Sequence, residues 1–175
     1  MSIDDNTLLS EKVEKNKLSD TNMLCYGNNV ADVVRQFQKC HNIPDSLYKQ
    51  SPLLIYRYSQ YNCDACIQSE LDVLSSVMKD IGKERILVLP AFEETRDNRI
   101  KLLSMLVKFN YRNIPMEDFN MPMDCTDMGP KRFFALITIE RNIDMIFFPE
   151  SFTLDLTKQY ITEIKRKMIN EKVSK

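Results

Sequence analysis

The chain is poor in several residues that would narrow its class. It has no Trp, one His, 3 Gly and 7 Pro among 175 residues. So little glycine and proline excludes collagen-like and low-complexity architectures, and the organised apolar runs exclude a wholly disordered chain. Charge of one sign is missing too: 24 Lys+Arg stand against 25 Asp+Glu, so no basic footprint for nucleic acid exists. No apolar stretch approaches the roughly 20 residues of a membrane span, and no transmembrane segment is expected. What the chain does have is ordinary globular composition, 43% hydrophobic, with 10 Met and 5 Cys. Five cysteines are odd in number and too sparse for a disulfide scaffold at this length, so a thiol is left over or the cysteines perform chemistry.

Residues 1–24 are polar and mixed in charge and read as a flexible tether. They lack the basic start, apolar run and cleavage site of a secretory signal, which taken literally implies the cytoplasm. The same composition resembles the tether behind a removed signal or lipid anchor, which would place the protein in the cell envelope or periplasm. Residues 25–52 are expected to form an N-terminal helical extension, with Val30, Val33, Val34 and Phe37 at helical spacing before Pro44 breaks the pattern. From Leu53 to Tyr58 the run is aromatic and apolar, as in a buried strand. Ile67, Leu71, Leu74, Met78 and Ile81 then recur every three or four residues, predicting a helix from Cys63 to Ile81 stopped by Gly82. The continuous apolar run Arg85 to Phe92 predicts a strand covered on both faces. Thr95 caps a second helix whose face is expected to carry Ile100, Leu103, Leu106, Val107 and Phe109. Residues 110–131 have no period and are expected to be loop. Phe133 to Ile139 and Ile143 to Phe148 predict an antiparallel strand pair, and Leu156, Tyr160, Ile161, Ile164 and Met168 a terminal helix. The order from residue 53 is β-α-β-α-β-β-α, an α/β class with a mixed central sheet flanked by helices, the first two strands parallel.

Cys63-Asp64-Ala65-Cys66 stands at the junction of the first strand and the first helix. In a β-α-β context this C-x-x-C reads as a redox pair. Two intervening residues in a first helical turn let the sulfurs approach, and the free amides and positive helix end favour a thiolate at Cys63. Cys66, one turn in, would resolve a mixed disulfide.

The element order with C-x-x-C opening the first helix resembles the thioredoxin-like superfamily over residues 53–169. Within it, the chain is most similar to thiol-disulfide oxidoreductases of the bacterial cell envelope. The resemblance implies a nucleophilic Cys63, a resolving Cys66, and exchange with protein thiol or disulfide substrates; an electron-donating or accepting redox partner is expected, and no cofactor or metal is. Asp64 and Ala65 would tune the pair from between the cysteines. Departures are visible. Asn62 stands where thioredoxins carry Trp, and Arg57 stands where they carry a buried acid six residues before the nucleophile. Lys131 to Phe134 fill the place of the family's substrate-binding proline, with Pro130 the nearest one. Arg57 near the pair would lower the Cys63 pKa and make the couple more oxidising; strand alternation pointing Arg57 to solvent is the alternative. These departures also suit a second function, a non-catalytic thioredoxin-fold binding or accessory module.

Other sulfur and nitrogen residues carry weaker signals. Cys25, Cys40 and Cys125 have no paired spacing and read as idle thiols. Cys40 and His41 could complete a zinc set with Cys63 and Cys66, but their adjacency is unlike a knuckle. Met116, Met121, Met123 and Met128 around Cys125 are soft donors suited to Cu(I) delivery, or an adaptable apolar surface.

Overall fold

A computed structural model describes residues 52–115, 131–138 and 143–173. The tether, the helical extension, Pro130, Cys25, Cys40, His41, Cys125 and the Met-rich segment fall outside the described residues. Strand β1 (Leu53–Ser59) leads through a turn into helix α1 (Asp64–Ile81). A short 3₁₀ turn, Lys83–Arg85, precedes β2 (Ile86–Ala91), followed by α2 (Arg96–Met105) and the two-residue β3 (Asn110–Tyr111). After these come β4 (Phe133–Ile137), β5 (Ile143–Phe147) and α3 (Leu154–Val173). The described residues therefore form an α/β fold with three α-helices and one mixed sheet of strand order β3-β2-β1-β4-β5. Strands β1, β2 and β3 run parallel, while β4 is antiparallel to both β1 and β5. β3 begins the segment expected to be loop. It is too short to carry a period-2 pattern, so its pairing beside Leu87 and Val88 is visible only in three dimensions.

Alternation along β1 divides the interior. Leu54, Tyr56 and Tyr58 join one apolar cluster with Ile67, Leu71 and Leu74 of α1 and Tyr160, Ile161, Ile164 and Met168 of α3. Leu53 and Ile55 belong to a second cluster on the other face, with Leu87, Leu89, Phe133 and Ala135. Each buried aliphatic or aromatic side chain contributes roughly 1.5–3 kcal/mol by leaving water, so the two clusters hold the sheet from both sides.

Helix α1 begins with Cys63 as its N-cap rather than its first helical residue, and Thr95 caps α2 by accepting from the Asn98 amide at 3.2 Å. Gly82 ends α1 at φ 96°, its amide reaching Met78 O at 3.0 Å. That positive φ is what makes glycine suit this stop. The face of α2 differs from the expected one. Leu102, Leu106 and Phe109 are buried, whereas Ile100, Leu103 and Val107 are 56–73% exposed. Two apolar stripes interleave on this short helix, and the sheet takes the one containing Leu102.

Candidate functional site

The turn that presents the cysteines is built by Asn62. Its Oδ1 accepts the Ser59 amide at 2.8 Å and the Ser59 hydroxyl at 3.3 Å, and its own amide donates to Ser59 O at 3.1 Å. Asn62 thus folds the strand-to-helix corner by the local bonding at which asparagine excels. Cys63 is exposed, and its Sγ accepts the Cys66 amide at 3.4 Å. Cys66 is half-buried, one turn along, with Sγ 3.6 Å from Ser151 Oγ. The Cys66 thiol and then its backbone amide, followed by the Ala65 amide and the charge of Arg132, hold Cys63 below the usual thiol range. Asp64 points outward to Lys101 on α2 at 2.9 Å, tying α2 to the start of α1.

The two sulfurs open onto a cleft of about 420 Å³ also lined by Ala65, Glu70, Arg132, Ser151 and Phe152. Two of these are buried charges. Glu70, 3% exposed, lies on α1 one helical turn beyond Cys66. Arg132 immediately precedes β4, and alternation puts it on the sheet face of Phe134 and Leu136, toward α1. Its Nε donates to both Glu70 oxygens at 2.8 and 2.9 Å, and the Tyr56 hydroxyl donates to Glu70 Oε2. Burial pushes the Glu70 carboxyl up, opposed by Tyr56 and Arg132. Burial alone would lower the Arg132 pKa, but the facing carboxylate outweighs it and the guanidinium stays charged.

Arg57 takes neither place expected for it. It is fully buried on the sheet face opposite α1, its Nη1 donating to Ile114 O at 3.1 Å and Leu89 O at 3.4 Å. The strand does alternate, but the far face is a core surface rather than solvent, and the cation acting on Cys63 is Arg132. Of the expected site residues, Cys63, Ala65 and Cys66 meet in the cleft, Asn62 and Asp64 support its edge, and Arg57 lies elsewhere. Glu70, Arg132, Tyr56 and Ser151 are additions. Glu70 carried a legible signal, an acid three residues after Ile67 inside an apolar stripe; the others depend on tertiary pairing.

Among the described residues no cluster of three or more His, Cys, Asp or Glu side chains is arranged to hold a metal, and no helix is long and apolar enough to cross a membrane. A scan against known protein families gives no match. No curated protein matches the chain either.

Proposed function

We propose that residues 53–169 are a thioredoxin-like domain that exchanges dithiol and disulfide with protein substrates through Cys63 and Cys66. The observation carrying this reading is the exposed Cys63 sulfur serving as N-cap of α1, with Cys66 one turn inward on the same cleft. The sheet supports it: parallel β1 and β2 joined through α1, antiparallel β4 and β5, and α1 and α3 on one face. A thiolate attacks far better than a thiol, so the lowered Cys63 pKa favours Cys63 as nucleophile.

In the reducing direction the Cys63 thiolate attacks one sulfur of a substrate disulfide. That S–S bond breaks, the other substrate sulfur leaves as thiolate, and a mixed disulfide forms. Cys66 then loses its proton and attacks the Cys63 sulfur, releasing the second substrate thiolate and leaving Cys63–Cys66 oxidised by two electrons. That proton leaves to water, since both Glu70 oxygens are already held by Arg132 and Tyr56. The same steps in reverse oxidise a substrate dithiol. Stabilising the thiolate stabilises the reduced form, which makes the couple more oxidising than one with an ordinary thiol.

One observation favours a second reading, the binding or accessory module. Arg132 stands directly before β4, where the resembling family carries its substrate-binding proline, and closes the cleft beside the sulfurs. A disulfide-reductase assay compared with Cys63→Ser separates the two. Turnover lost in the variant supports the enzyme; a pair that oxidises and reduces without turnover supports the module.

A further inference from the structure

Phe152 is a large apolar side chain in full solvent contact, 106% exposed, and its backbone stands at φ 73°. Left-handed backbone is uncommon for a bulky residue and suits glycine; where it persists, it tends to cluster at ligand clamps and active sites. The turn around it is well bonded without the ring. The Thr153 hydroxyl and amide donate to Glu150 O at 3.0 and 3.3 Å, and the Leu156 amide donates to Thr153 O at 3.0 Å. Folding therefore gains little from the aromatic surface, yet the turn places it on the cleft that both sulfurs line. Charge narrows what it meets. The cleft's cation, Arg132, already faces Glu70, and exposed Glu150 stands among the lining residues. A small anionic disulfide finds poor complementarity there, whereas a neutral or basic apolar segment does not.

We propose that Phe152 is the docking residue for polypeptide disulfides that carry a bulky apolar side chain beside the half-cystine attacked by Cys63. This rests on the exchange reading above. The covalent step is the one already written, with the Cys63 sulfur bonding to the half-cystine sulfur while the substrate S–S bond breaks and its other sulfur departs as thiolate. Phe152 touches the flanking side chain alone. Covering both apolar surfaces removes them from water, which speeds formation of the mixed disulfide without altering the sulfur chemistry.

The test uses the reduced full chain against three substrates: two peptide disulfides differing only in Leu or Ser beside the half-cystine, and hydroxyethyl disulfide, which is small and uncharged. The wild type is expected to reduce the Leu peptide about tenfold faster than the Ser peptide. Phe152→Gly equalises the two peptides and keeps Tm at or above the wild-type value, because glycine accepts the left-handed backbone. Phe152→Tyr retains the preference. A wild type indifferent to the flanking residue, or a preference that survives in Phe152→Gly, overturns the proposal. So does a Tm falling by several degrees in that variant, which would assign the ring to folding. Reaction with hydroxyethyl disulfide without discrimination between peptides defeats this inference alone, while no reaction with any of the three defeats the exchange reading as well.

Discussion

Arg57 and Arg132 are buried on opposite faces of one sheet, and their surroundings differ in kind. Arg57 reaches the backbone carbonyls of Leu89 and Ile114 within the second apolar cluster. Arg132 meets a carboxylate under α1, on the face where that helix begins with the cysteines. Burial of a cation is expensive on either face and must be offset by acceptors. Only the second arrangement also brings the charge to a nucleophile. Side-chain burial therefore says little about function until the face and the partner are named.

The sharpest way to break the comparison is Arg132→Met. It leaves Glu70 as an unpaired buried acid, and the expected loss is about 3–5 kcal/mol in urea denaturation. Adding Glu70→Leu should restore much of it, since a well-packed apolar pair often replaces a buried ion pair without penalty. A double variant no more stable than the single one would refute the pairing. In Arg132→Met alone the pH midpoint for alkylation of Cys63 rises, and only modestly, because the Cys66 thiol and the amides of Cys66 and Ala65, which lower it more, stay in place. The sign follows from the charge: removing a cation disfavours the thiolate, so more alkaline conditions are needed to form it.

Arg57→Met should lower stability less than Arg132→Met and leave the Cys63 midpoint at its wild-type position, below the ordinary thiol range. A midpoint that follows Arg57 rather than Arg132 would reverse the assignment of the two arginines. Gly82→Ala tests backbone strain away from the cleft, with an expected loss of about 1 kcal/mol and no change in Cys63 reactivity. The smallest effect belongs to Asp64→Asn. Its partner Lys101 is solvent-accessible and the pair lies at the surface, so unfolding should shift by no more than about 0.5 kcal/mol.

The legible parts of the site were the local ones. A cysteine pair at a strand-to-helix junction, the apolar stripe of α1, the Thr95 cap and the glycine stop are all written within a few residues of one another. Glu70 was legible in principle, because an acid between Ile67 and Leu71 interrupts a buried face and calls for a partner. Its partner Arg132 lies sixty-two residues away, and no local pattern joins them. Arg57 was misplaced for a related reason. Alternation shows that neighbouring strand residues face opposite ways, but only the assembled sheet shows that both faces of β1 are core. On α2 the two interleaved stripes are equally apolar, and the choice between them belongs to the sheet. Phe152 looked unexceptional in sequence; its left-handed backbone appears only when the turn is built.

The central claim is that Cys63 and Cys66 form a redox couple, and equilibration of the full chain in glutathione buffers tests it most directly. Mass spectrometry of the alkylated protein should show the pair passing from dithiol to disulfide at a potential between about −270 and −120 mV, the span of thioredoxin-fold exchange proteins. A pair that stays as two free thiols throughout that range would contradict the account.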